Sequence, residues 1–151
     1  MQKRGCEMKC RTFIIGISIL IFTVSAISQT EKPTFTAYKG VSIGMTIEKA
    51  RSILGNPKEK AEGQDFYKIS ESESFQVYFD SSQTVTALMV TFSGTIDAAP
   101  TPKDVFGEDV AANADGSIFK MVRYPKAGFW ISYNRSLAED KMVSIAMQKI
   151  N

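Results

Sequence analysis

The chain predicts an α+β fold in which short helices pack on an antiparallel β-sheet, laid out as a tandem duplication of a helix-then-three-strand unit. Three observations carry that expectation. Residues 44–57 (GMTIEKARSILGNP) hold the start and stop signals of one short helix. Segments of alternating apolar and polar residues follow, separated by turn residues. A similar order of segments returns after a Gly- and Pro-containing break at residues 94–103.

The helix comes first. Gly44 and Met45 lead into Thr46, whose hydroxyl suits an N-cap because it accepts from a free backbone N–H of the first turn. Glu48 sits near the positive end of the helix. Ile47, Ala50 and Leu54 fall on one face with Ile53 beside them, Gly55 suits the left-handed stop, and Pro57 forbids continuation. So short a helix cannot stand alone, and its apolar face needs a sheet to lie on.

Three strands supply that sheet: residues 64–70 (QDFYKIS), 74–80 (SFQVYFD) and 84–93 (TVTALMVTFS). In the second, Phe75, Val77 and Phe79 share one side and Gln76, Tyr78 and Asp80 the other. The third is apolar on both sides in part, as expected of a central strand. After the break, residues 104–107 echo 52–55, and 117–124, 128–134 and 142–150 echo the three strands, with an offset drifting from about 52 to about 58 residues. The alternative is that any two β-meanders share such a pattern. The expected organisation is a signal segment over 1–28, a first unit over 29–93, a linker over 94–103 and a degenerate, β-rich second unit over 104–151, with at most a stub of helix at Pro102.

The N-terminus predicts export. Lys3, Arg4, Lys9 and Arg11 precede an apolar run over residues 13–24, and small residues Ala26 and Ser28 follow, the pattern of a signal peptide cleaved near Ser28. The alternative is a retained anchor, for which the run is short, since a bilayer span needs about 20 residues. Both cysteines, Cys6 and Cys10, precede the run, so neither stands where a lipid-accepting cysteine would. The residues after Ser28 contain no cysteine, which excludes disulfides, thiol catalysis and cysteine–zinc sites there.

The rest of the composition narrows function further. Of 151 residues, 44% are hydrophobic and 23% charged, as in globular proteins. There is no histidine, the commonest general base and metal ligand. Setting aside Lys3, Arg4, Lys9, Arg11 and Glu7 with residues 1–28 leaves 14 basic and 15 acidic side chains, a net charge of −1 with no nucleic-acid face. No cofactor or metal is expected, and no spacing of acidic residues matches a calcium loop. Asn134-Arg135-Ser136 forms a glycosylation sequon, relevant only in a eukaryotic secretory pathway.

Residues 35–57, with the later FYKI, FQVYFD and VTALMVTF, resemble the SmpA/OmlA (BamE-like) outer-membrane-assembly domains and the secreted β-lactamase inhibitor proteins (BLIP-like), whose fold is a tandem duplication. Gly44, Met45, Thr46, Ala50, Leu54, Gly55 and Pro57 carry the likeness. It implies a non-catalytic binding protein of the bacterial envelope or exterior. Two departures stand against direct transfer: SmpA/OmlA-type members are usually lipoproteins, and no residue matches the inhibitors' enzyme-contacting loops.

The residues themselves point to one candidate surface. With Phe75, Val77 and Phe79 and with Phe129, Ile131 and Tyr133 facing the core, Trp130 points the other way beside Ser132 and Asn134, and Tyr78 beside Gln76. Trp and Tyr among small polar residues on an open sheet face compose a recognition surface for a protein partner, with Arg123 and Lys120 bordering it. The alternative is a satellite core under a loop. A carboxylate- or Ser/Lys-dependent hydrolase and a purely structural envelope protein are the competing functions. Membrane contact is expected only through a retained signal segment.

Overall fold

The computed structural model describes residues 32–150; the signal-segment expectation lies outside them. Helix α1 spans Ile47–Leu54. Thr46, extended at φ −74°, accepts the Lys49 amide on its hydroxyl at 3.3 Å, so the N-cap forms as its chemistry requires. Gly55, at φ 82°, closes the helix with its N–H on the Arg51 carbonyl at 2.8 Å, a backbone conformation that side chains resist. Ahead of the helix, Gly44 donates to the Val85 carbonyl and Met45 accepts the Val85 amide, both at 2.8 Å. The Gly44-Met45-Thr46 start therefore seats the helix on the first residue of a strand.

The strands are β1 (Glu59–Ala61), β2 (Gln64–Lys68), β3 (Glu73–Phe79), β4 (Val85–Ser93), β5 (Ile118–Tyr124), β6 (Phe129–Ser136) and β7 (Met142–Lys149). They form one antiparallel sheet in the order β1-β2-β3-β4-β7-β6-β5. Helix α2, Pro102–Phe106, is a single turn between β4 and β5. Thr101 and Asp104 close a reciprocal capping box at its start, and Pro102 occupies its first turn.

One face of the sheet is covered. Ile47 and Ala50 of α1 and Val105 and Phe106 of α2 are buried with Phe75, Val77, Val90, Ile131, Ile145 and Met147 in one core cluster. The segment before α1 joins them: Val41 is buried, and the Tyr38 ring meets Phe75 edge-on at 5.1 Å. Phe106 meets Tyr133 in the same manner at 6.5 Å.

These features correct the expected fold class. The described residues form a mostly antiparallel seven-stranded sheet with two short helices of 8 and 5 residues, not a duplicated helix-then-three-strand α+β unit. The second helix is too brief to form a layer, and β1 adds a strand that has no counterpart. The sequence echo has a simpler cause. SFQVYFD and GFWISYN are two strands of one sheet facing one core, so Phe75, Val77, Ile131 and Tyr133 share a phase and are all buried.

Among the described residues, Asp65 is the one buried charge, at 0% exposure on the covered face of β2. Arg51 of α1 reaches it with two bonds, Nε to Oδ2 at 2.7 Å and Nη2 to Oδ1 at 2.9 Å. The guanidinium also lies over the Phe79 ring at 5.7 Å. A forked ion pair thus clamps the helix to the sheet. Replacing Arg51 with Met leaves Asp65 buried without its cation, and urea unfolding should show a loss of roughly 2–4 kcal/mol. The double variant Arg51→Met/Asp65→Leu should recover much of it, because the uncompensated charge goes too.

Candidate functional site

Among the described residues, no helix or second sheet covers the face opposite the helices. Strand registers arrange its side chains in rows across the sheet. One row reads Gln64, Tyr78, Ala87, Gln148, Trp130 and Arg123. The next reads Phe66, Gln76, Met89, Ala146, Ser132 and Met121, and a third Lys68, Ser74, Thr91, Ser144, Asn134 and Phe119.

The first two rows create a shallow groove of about 520 Å³. Tyr78 and Trp130 stand on opposite sides of it, three strand steps or roughly 14 Å apart. Between them the small side chains of Ala87 and Ala146 lower the floor, and Met89 and Gln148 complete it. A bulge shapes one end: Tyr78 pairs with Ala87 but Phe79 pairs with Val85, so Thr86 is extra and also lines the groove. Gly63, in the turn joining β1 and β2, closes the rim.

Gln76 Oε1 accepts from the Tyr78 hydroxyl and, at 3.2 Å, from Gln64 Nε2. That pair of bonds holds the phenol against the sheet and orients the ring. Among the described residues, no carboxylate, lysine or arginine lines the groove, and its hydroxyls are those of Tyr78 and Thr86. It therefore offers aromatic, thioether and amide contact rather than a nucleophile beside a base. Among the described residues, no three His, Cys, Asp or Glu side chains gather closely enough to hold a metal ion.

Tyr78, Gln76, Trp130, Ser132 and Arg123 share the open face. Tyr78 and Trp130 line the groove itself. Gln76 and Ser132 belong to the adjoining row, and Arg123 is exposed beside Trp130 on the outermost strand. Lys120 does not border the patch. It lies opposite Tyr133, pairs with Glu108 and sits over the Phe106 ring at 5.1 Å, all on the covered side. Strand parity dictates this, because residues 120 and 123 differ by an odd step. Sequence reasoning missed the floor residues Ala87, Met89 and Ala146; the two-sided apolarity of β4 is a signal for the first two.

Ionisable groups cluster instead on the covered face. The Tyr38 hydroxyl donates to Glu73 Oε1 at 2.6 Å, and Lys39 Nζ approaches the same oxygen at 3.2 Å. Burial, then the hydrogen bond to Glu73 and its charge, push the Tyr38 phenol well above its ordinary range. Burial and the neighbouring Asp65 carboxylate push Tyr67 up to about 12. The bond to Asp65 raises the Arg51 guanidinium further.

Comparison with known proteins adds little. No family model and no curated protein matches the chain. Among solved structures, the DUF4309 family protein YjgB from Bacillus subtilis is similar over 74% of this chain and 83% of its own, at 9% identity and a TM-score of 0.48.

The two phenols give the fold an alkaline limit. Each binds its proton more tightly folded than unfolded, so its contribution is complete below pH 10, the free value, and declines as pH rises toward the folded value, about 12 for Tyr67. The urea midpoint should fall across that interval, and Tyr67→Phe should flatten the fall. An unchanged slope in that variant would remove Tyr67 as its source.

Proposed function

We propose that this chain is an exported, non-enzymatic protein-binding module of the bacterial cell envelope or exterior, working through its open sheet face. The groove between Tyr78 and Trp130 is the observation that carries the reading. Interface centres are depleted of charge and enriched in aromatic residues and Met, and this groove has that composition. Its breadth suits a peptide or protein surface. Tyr78 and Trp130 present large, rigid contact area at little conformational cost, as binding anchors do. The strands beneath hold them in fixed register, so little conformational freedom is lost on binding. Export rests on the basic-then-apolar pattern of residues 1–28, and an envelope setting on the likeness of residues 44–57 to SmpA/OmlA-type domains.

The test is capture from envelope and culture-fluid fractions with three baits: the native chain, Trp130→Ala and Ala146→Arg. The first removes an anchor and the second fills the groove with a charged side chain. A protein retained by the native chain should be lost by at least about ten-fold with either variant. Equal retention by all three would place recognition elsewhere on the molecule. Trp130 is the single tryptophan of the chain, so its emission should also change when the identified partner is titrated in.

A further inference from the structure

The two edges of the sheet are finished differently. β1 is three residues long, exposed throughout, and carries Glu59 and Lys60, a short charged edge of the kind that discourages strand addition. β5 is seven residues long, and among the described residues its neighbour in the sheet is β6 alone. It also carries two large apolar side chains in the open, Phe119 at 65% exposure and Met121 at 52%. Lys120 does not guard this edge on the open face: it turns to the covered face and pairs with Glu108. The open-face side chains of β5 are therefore Phe119, Met121 and Arg123, two apolar groups and one cation.

We propose that β5 is a self-association edge, at which two copies of the chain pair β5 against β5, antiparallel, about a two-fold axis through Met121. The order of the side chains selects this partner. With the axis at Met121, the two Met121 side chains meet. Phe119 then lies opposite Arg123 of the second copy, and Arg123 opposite Phe119 of the second copy. Each guanidinium reaches a phenyl ring at the directly opposed spacing of about 5 Å. Arg123 already lies opposite Trp130 of its own β6, so the cation is flanked by an aromatic residue on each side. On the covered face Lys120 meets Val122 of the second copy, and no like charges oppose each other. Neighbouring registers lack this fit. An axis through Lys120 sets two ammonium groups against each other, and one through Val122 carries Phe119 beyond the end of the strand. An unrelated strand would have to carry this complement by design, whereas a second copy supplies it by symmetry.

Pairing joins the two sheets into one and makes their open faces continuous. The row through Trp130 and Arg123 runs on into Phe119 and Asn134 of the second copy, which places two copies of the groove on a single surface. Self-association does not depend on what the groove binds, so either proposal can fail without the other.

Cross-linking through single cysteines reads the register directly. The full chain is expressed with Cys6→Ser and Cys10→Ser, which removes both native thiols, and is purified in the form the cell leaves it. Met121→Cys should then form a disulfide-linked dimer under mild oxidation, at least about ten-fold more than Phe119→Cys or Arg123→Cys alone, because only residue 121 faces itself within bonding distance. A mixture of the Phe119→Cys and Arg123→Cys chains should link to each other. In the cysteine-free chain, Met121→Lys places like charges on the axis and should weaken self-association by about ten-fold in sedimentation. Its melting temperature reports separately that the exposed site tolerates the change. Linkage of Phe119→Cys to itself as readily as Met121→Cys, or self-association indifferent to Met121→Lys, would overturn the proposal. So would a folded Met121→Cys chain that does not cross-link.

Discussion

The antiparallel pairing of β4 with β7 is the join on which the rest of the sheet depends. It places Leu88 opposite Met147, Val90 opposite Ile145 and Phe92 opposite Val143, six side chains buried on one face. The alternate positions, Ala87 with Gln148, Met89 with Ala146 and Thr91 with Ser144, occupy the other. A one-residue slip of β7 would exchange its two sets, driving Gln148 and Ser144 into the core and Ile145 and Met147 into water. The same pairing aligns Tyr78 of β3 with Trp130 of β6 across the sheet, so the register that buries the core also builds the groove.

The faces divide chemistry as well as burial. The covered face holds the ion pairs of Asp65 with Arg51, Glu73 with Lys39 and Glu108 with Lys120, which tie α1, the segment before it and the region after α2 to the strands. Among the described residues, the groove on the open face has no charged side chain in its lining. Charges committed to architecture lie away from the surface proposed to recognise a partner. That surface can then discriminate by shape and aromatic contact, with little dependence on ionic strength.

Much of this was legible in the sequence because strands have a period of two. The alternation in SFQVYFD and GFWISYN assigned Phe75, Val77, Ile131 and Tyr133 to the core and put Tyr78 and Trp130 on the opposite face, where the structure has them. The start and stop residues of α1 were equally plain. β1 was not, because Glu59-Lys60-Ala61 buries nothing and is held by backbone pairing with β2. The likeness of the two halves suggested repetition of a helical unit, when what recurs is strand alternation. Asp65 in QDFYK gave no sign of burial, since its partner Arg51 lies on a different element. The floor of the groove escaped notice because a hollow is made by what is small. Ala87 and Ala146 matter only once β4 and β7 set them diagonally across from each other.

The central claim is that adjacent positions of one strand serve different purposes according to the face they occupy. Trp130 and Ile131 are the sharpest pair: the first lines the groove, and the second is fully buried and pairs with Met147. Unfolding free energies of Ile131→Ala and Trp130→Ala, measured side by side in urea, test it most directly. Ile131→Ala should lose about 2–5 kcal/mol. Trp130→Ala should lose less than about 1.5 kcal/mol, even though more atoms are removed. A loss at Trp130 equal to or larger than that at Ile131 would show that the open face is a second core, and would contradict the division on which the functional reading rests.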